Sequence, residues 1–121
     1  MGGNEVRLPL SGAGVSGELV VAPLVVAKLA GTEARSTYGV VAMQVSPVKR
    51  LARLGKGSFT DGVVVEVAED GLHINLHVIM ERGVNLAQVT LNLQEQVRYR
   101  VEKVAGVPVA DITVRVEDLQ D

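Results

Sequence analysis

Two histidines and a glutamate lie close together in the chain, and they are the first residues that could carry chemistry. His73 and His77 are four positions apart, and Glu81 follows four positions later. On a helix, this spacing would place the side chains together, where they could bind one zinc ion. On a strand, the two histidines would share a face but stand ~13 Å apart, too far to bind one ion. Whether a metal site exists therefore depends on whether this segment forms a helix or a strand.

The surrounding pattern predicts a strand. In GVVVEVAEDGLHINLHVIMERG, apolar and polar residues alternate on both sides of Asp70-Gly71, a pair that suits a tight hairpin turn. One face of the second strand is expected to carry Leu72, Ile74, Leu76, Val78 and Met80, and the other His73, Asn75, His77, Ile79 and Glu81. We therefore expect surface histidines, with no metal site and no cofactor.

No other motif predicts catalysis. GKGS at residues 55–58 lacks the earlier glycine of a Walker phosphate loop, because Arg50 stands at that position. The chain has no cysteine, which excludes a thiolate nucleophile and a cysteine metal site. Nothing supplies a nucleophile, a base and an oxyanion donor together, so we predict that the protein is not an enzyme.

Composition and periodicity predict an α+β fold. Hydrophobic residues make up 47% of the 121 residues and aromatic residues only 2%, so the core consists of aliphatic side chains, which favours a sheet. Pro23 is expected to open one helix, and Asn85 and Gly106 to cap the ends of a longer one. We predict a two-layer sandwich: one mixed sheet of about five strands, two main helices on one face, and a short basic helix.

The long helix and the last strand have predictable faces. Gln88 stands where it could complete a reciprocal capping box with Asn85. The apolar stripe of the helix is expected to contain Leu86, Val89, Leu93, Val97, Val101 and Val104. In the last strand, over 109–117, Ile112, Val114 and Val116 are expected to point inward, and Thr113 and Arg115 outward.

The two ends of the chain differ in organisation. Residues 1–16 contain glycine and serine without a sustained period, and are expected to form a flexible N-terminal arm with at most a short extended piece at 6–10. Residues 17–121 are expected to form a single domain. The start of the chain lacks a secretory signal, and its longest apolar run is too short to span a membrane, so we expect a cytoplasmic protein without direct membrane insertion.

A basic cluster lies between the predicted strands, in the short helix at 47–56. Lys49, Arg50, Arg53 and Lys56 would lie on its outer side, either as an ordinary solvated face or as a contact for an acidic protein, RNA or anionic lipid. The formal net charge is −2 and the cluster has no aromatic anchor, so nucleic acid is not the expected main partner.

Several segments, in their order and spacing, resemble the alkaline shock protein family, the Gls24-type envelope stress response proteins of bacteria. The matching segments are GELVVAPLVVAKLAG, Gly39-Val40, Gly62-Val63, ERGVNLAQVTLNLQEQV and VAGVPVADITVRVEDL. The resemblance implies one domain of this type over 17–121, without catalytic residues. It also implies self-association and protein partners, among them an integral-membrane anchor near which the protein would lie peripherally.

The main hypothesis from the sequence is therefore a non-enzymatic scaffold or adaptor of the cell-envelope stress response, which forms homo-oligomers. Two alternatives stay open: an RNA-binding module that uses the basic helix, and a regulatory partner of a lipid-synthesis enzyme. The candidate interaction surface contains His73, Asn75, His77, Arg115, Lys49, Arg50, Arg53 and Lys56.

Overall fold

The structure is a computed structural model that describes residues 5–44 and 62–121, together with the backbone of 57–60. These parts contain seven strands and two helices. In chain order they are β1 (Val6–Gly12), β2 (Val15–Val21), α1 (Pro23–Arg35), β3 (Val40–Met43), β4 (Gly57–Thr60), β5 (Val63–Ala68), β6 (Gly71–Glu81), α2 (Leu86–Ala105) and β7 (Val109–Gln120). The basic helix predicted at 47–56 lies outside the described residues.

Strand β6 is the centre of a five-stranded mixed sheet. On one side, β7 runs parallel to it from Leu72 to Glu81. On the other side, β5 pairs antiparallel with its first half and β3 with its second half, and β4 continues the sheet beyond β5. The predicted mixed sheet of five strands is confirmed.

The core lies between one face of this sheet and the two helices. The inward side chains of β6 are fully buried: Leu72, Ile74, Leu76, Val78 and Met80. Helix α1 packs over β3, β4 and β5 through small residues such as Ala27 and Ala30, while α2 packs against α1 and β7. Alanines allow α1 to approach closely, and the valines of α2 fill the remaining space. The predicted two-layer arrangement is confirmed.

The ends of α2 form largely as predicted. The side chain of Asn85 accepts a hydrogen bond from the backbone N–H of Gln88 at 3.0 Å, and Gly106 ends the helix with φ 73°. No described hydrogen bond joins the Asn85 backbone N–H to the side-chain oxygen of Gln88, so the reciprocal half of the capping box is absent, and the Gln88 N–H₂ group donates to Asn92.

The predicted stripe of α2 was wrong at its two ends. Leu86 is 37% exposed and Val104 is 55% exposed, although both were expected to face the core. The buried residues follow a four-residue spacing, Val89, Leu93, Val97, Val101 and Ala105. A four-residue spacing advances by about 40° per step, so the buried line winds around the helix and reaches Ala105 rather than Val104 at its end.

The N-terminal residues correct another prediction. Residues 6–16, expected in a flexible arm, form β1 and the start of β2, which pair antiparallel as a separate two-stranded sheet. Ala13 and Gly14 both have positive φ, 51° and 78°, as a two-residue type I′ turn requires. At the base of this hairpin, Val6 and Val21 are buried in the core.

Strand β7 is longer than predicted and changes register. Val116 pairs with Val78, but the next partner of β6 is Asp118, so Glu117 is an extra residue in the strand. Ile112 is buried as expected, whereas Val116 is 36% exposed. Val116 lies on the core face as predicted, beside the buried Val78, but its side chain remains partly open to solvent.

Gly62 allows the ends of β3 and β5 to approach each other closely beside His77. Its φ is 87°, and a Cβ there would lie 2.9 Å from the carbonyl oxygen of Gln44. Gly83 has a similar φ of 99° but open space around it. Both substitutions to alanine should cost ~1–2 kcal/mol through the backbone conformation. We expect Gly62→Ala to cost about 1–3 kcal/mol more, because the neighbouring backbone must move.

Chemical denaturation of the two alanine variants measures this difference. Equal losses of unfolding free energy in Gly62→Ala and Gly83→Ala would show that close packing at Gly62 is unimportant.

Candidate functional site

The polar residues of β6 lie on the face of the sheet that carries neither described helix. His73, Asn75 and His77 alternate with the buried apolar residues of β6, and their partners on β7 are Asp111, Thr113 and Arg115. The structure thus brings His73, Asn75, His77 and Arg115 onto one face, as the sequence indicates. Their use as an interaction surface remains a prediction.

His73 bridges two carboxylates. Its Nε2 lies 2.8 Å from Asp70 in the β5–β6 turn, and its Nδ1 lies 3.0 Å from Asp111 on β7. These contacts raise the pKa of His73 above 6.5, first through the hydrogen bond with Asp70 and then through that with Asp111. The ring therefore ties the hairpin turn to the neighbouring parallel strand. Its two nitrogens face different carboxylates, so this arrangement does not converge on one metal ion.

His77 differs from the sequence expectation. We expected a surface histidine, but this residue is only 3% exposed. It lies where β6 has neighbours on both sides: its backbone N–H donates to Gly62, and its carbonyl accepts from the N–H of Gln44. On its other side, Nδ1 lies 2.7 Å from Oε2 of Glu117.

The extra residue in β7 is the partner of this buried histidine. Glu117 also lies 3.4 Å from the Nε of Arg115. The pKa of Glu117 is held below its usual 4.5, mainly by the hydrogen bond with His77 and further by Arg115, while burial acts in the opposite direction. Arg115, Glu117 and His77 thus form a short chain from the exposed surface into the sheet.

The second nitrogen of His77 is buried, and none of the described residues forms a hydrogen bond with it. When Nδ1 donates to the Glu117 carboxylate, the neutral ring carries a lone pair rather than an N–H at Nε2. Carboxylate-oriented histidines serve as bases in hydrolases, but there the other nitrogen contacts a nucleophile. Among the described residues, no such group bonds to Nε2.

Two further observations bear on the predicted chemistry. Among residues 5–44 and 62–121, no three side chains of histidine, aspartate or glutamate are grouped so that they could hold a metal ion. The basic residues of the candidate surface, Lys49, Arg50, Arg53 and Lys56, lie outside the described residues.

The partners of the two histidines were missed by sequence reasoning. Asp111 and Glu117 are distant in sequence and meet β6 only through the parallel register of β7. The only signal for them is the density of acidic residues in DITVRVEDLQD, which does not reveal a register with a bulge.

The sequence comparison decides the family. A model described as the alkaline shock protein 23 family, with a cell envelope-related function, matches residues 12–120. The chain belongs to this family. The family resemblance identified from the sequence is therefore confirmed, together with a cell envelope-related function.

Similar proteins occur in Streptococcus pyogenes and Bacillus subtilis. The uncharacterized protein Spy1614 of Streptococcus pyogenes is 29% identical over 99 residues, 79% of this chain and 82% of that protein. The uncharacterized proteins YqhY and YloU of Bacillus subtilis are 27% and 28% identical, covering 86% of this chain and 78% and 89% of their own lengths. These names state no reaction. No solved structure shows a significant match.

Neither of the two described helices is both long and apolar enough to cross a membrane.

The contacts of His73 predict a pH dependence of stability. Its pKa is raised on folding, so its contribution is fully present below 6.5 and is lost as the pH rises through the folded-state pKa. We expect the stability difference between the native protein and His73→Gln to shrink as the pH rises. Denaturation curves at several pH values, with NMR titration of the ring, measure this. A difference that grows with pH would contradict the assignment.

The buried pair predicts the opposite dependence at low pH. Because the pKa of Glu117 is lowered, its contribution is complete above 4.5 and is lost as the pH falls through the folded-state value. Glu117→Gln should cost about 1–3 kcal/mol at neutral pH, because it weakens the one hydrogen bond that the described residues make to the buried His77 ring. Glu81→Gln, at the exposed end of β6, is the control and should change stability little.

Proposed function

We propose that this protein is a non-enzymatic scaffold or adaptor of the bacterial cell envelope, which acts by self-association and by binding protein partners. The observation that carries the proposal is the kind of side chain that the described residues leave exposed and available for binding. The histidines on the helix-free face are engaged with acidic residues of the same chain. Large apolar side chains on the N-terminal hairpin remain exposed, which is typical of surfaces that bind other proteins.

The edge of the main sheet supports the same proposal. Strand β7 has twelve residues and pairs with β6, while no other described strand lies along its outer side. An edge strand of this length presents backbone donors and acceptors to which another chain can pair. A protein whose task is assembly can use such an edge, whereas an enzyme needs converging reactive groups.

The envelope connection rests on the family description, and the mode of attachment is part of the proposal. Because the family has a cell envelope-related function, we place the protein beside the membrane through a protein partner. The resemblance to the alkaline shock proteins favours the cytoplasmic side and an integral-membrane anchor as that partner.

Self-association predicts a mass that depends on concentration. We expect the weight-average mass of the purified protein to rise above 12.8 kDa across a wide concentration series in sedimentation velocity. The rise should persist at high salt if apolar contacts hold the copies together. A single species of 12.8 kDa at every concentration would overturn the self-association part of the proposal.

Partner binding requires a test in cells. We expect a tagged copy at native expression level, purified from gently solubilised cells, to recover untagged copies and a membrane protein. Nuclease treatment should leave this recovery unchanged. Recovery that disappears with nuclease would instead favour the RNA-binding alternative.

A further inference from the structure

The N-terminal hairpin has one apolar and one mainly polar face. Residues directly paired across the two strands share a face, so the register places Leu8 with Leu19 and Gly12 with Val15. The apolar face consists of Val6, Leu8, Leu10, Val15, Leu19 and Val21. On the opposite face, Arg7 pairs with Glu18 at 3.1 Å, and Ser11 lies opposite Ser16.

Only the base of this apolar face is covered within the chain. Val6 and Val21 are buried, whereas Leu10 is 53% exposed and Val15 is 70% exposed. A two-stranded sheet without further packing is at best marginally stable in water. The outer half of the hairpin therefore gains the most from a surface supplied by another molecule.

A groove of suitable chemistry lies between α2 and the start of β7. It has a volume of about 500 Å³. Leu91, Val109 and Ile112 supply its apolar floor, and polar side chains form the rest of its lining, namely Gln88, Asn92, Gln94, Glu95, Arg98 and Asp111. Leu91 is 56% exposed although it points into this groove. The groove thus offers an apolar floor next to the outer edge of a strand, the combination that binds extended segments.

The hairpin and the groove lie at the same end of the molecule. Val6 and Leu8 line a crevice together with Val107 and Pro108, and the groove begins at the next residue, Val109. The hairpin does not fill the groove of its own chain, because Leu10 and Val15 remain exposed. One molecule therefore presents, side by side, an exposed apolar hairpin and a groove able to receive such a hairpin.

We infer that the apolar face of the hairpin docks into the α2–β7 groove of a second copy of this chain, and that the two copies exchange hairpins reciprocally. The inference deepens the proposed function and rests on the self-association proposed there.

Interface area favours a second copy as the occupant. The outer half of the hairpin, which its own chain does not cover, spans roughly 12 by 10 Å, so one docked hairpin buries about 200–250 Å² in total. Stable interfaces require about 1,000 Å² or more. A foreign protein that accepts the hairpin gains one such contact. A second copy gains two, because it returns its own hairpin, and an interface of about 500 Å² predicts weak association that depends on concentration.

Charge substitutions with matched controls test both sides of the contact. We expect Leu10→Glu with Val15→Glu to raise the dissociation constant of the dimer about tenfold or more, because carboxylates would enter an apolar groove. Ser11→Glu with Ser16→Glu adds the same charge to the opposite face and should have little effect. Leu91→Glu, in the groove, should raise the dissociation constant of the dimer in the same way. Val104→Glu, on the same helix and 55% exposed, is its control.

Cross-linking identifies the contact directly and does not depend on the stability of charged variants. The chain has no cysteine, so single cysteines can be introduced cleanly. Leu10→Cys mixed with Leu91→Cys should give a cross-linked heterodimer, and Leu10→Cys mixed with Val104→Cys should not. Cross-links between two Leu10→Cys chains without any to Leu91→Cys would show that hairpins pack on each other, which would overturn the inference.

The outcomes separate this inference from the proposed function. A native protein that is monomeric at all concentrations would overturn self-association, and the exchange of hairpins with it. A native protein that self-associates equally well with Leu91→Glu or with Leu10→Glu and Val15→Glu would overturn only the exchange. Loss of association in these variants, with both controls unchanged, is the expected result.

Discussion

The pairing of β6 on both sides is the constraint on which the rest of the structure depends. This strand has β7 along one edge, and β5 followed by β3 along the other. Its backbone groups are satisfied within the sheet, and its apolar residues form the floor on which α1 and α2 pack. The close approach of β3 and β5 beside His77 requires Gly62, which has no side chain to separate them.

The same constraint explains the buried histidine. A residue at the middle of a central strand loses solvent on both flanks, so His77 needs a partner from a neighbouring strand. The bulge at Glu117 provides that partner by inserting one residue where β7 passes His77. Glu117 in turn remains near Arg115 at the surface. The irregularity in β7 therefore places a carboxylate beside a polar ring that is buried on the face opposite the helices.

Local signals predicted much of the fold, and long-range pairing limited the rest. The cap at Asn85, the end at Gly106 and the β5–β6 hairpin follow from a few neighbouring residues. The N-terminal hairpin was missed because Gly12, Gly14 and Pro9 indicate a loop, although Val6, Leu8 and Leu10 already alternate. The partners of the candidate site could not be predicted, because parallel β6–β7 pairing joins residues about 40 positions apart and includes a bulge.

The outer edge of β7 is protected unevenly, and this bears on how the protein assembles. Its second half carries Arg115, Glu117 and Asp118 together with the bulge, features that oppose pairing with another strand. At Ile112, the carbonyl is instead held by the side-chain amide of Gln94 at 2.9 Å. An amide side chain can be displaced by a backbone donor more easily than a bulge can be removed. The start of β7 has an irregularity of its own at Ala110, so the regularly paired stretch from Asp111 to Val114, beside the groove, is where this edge best accepts another chain.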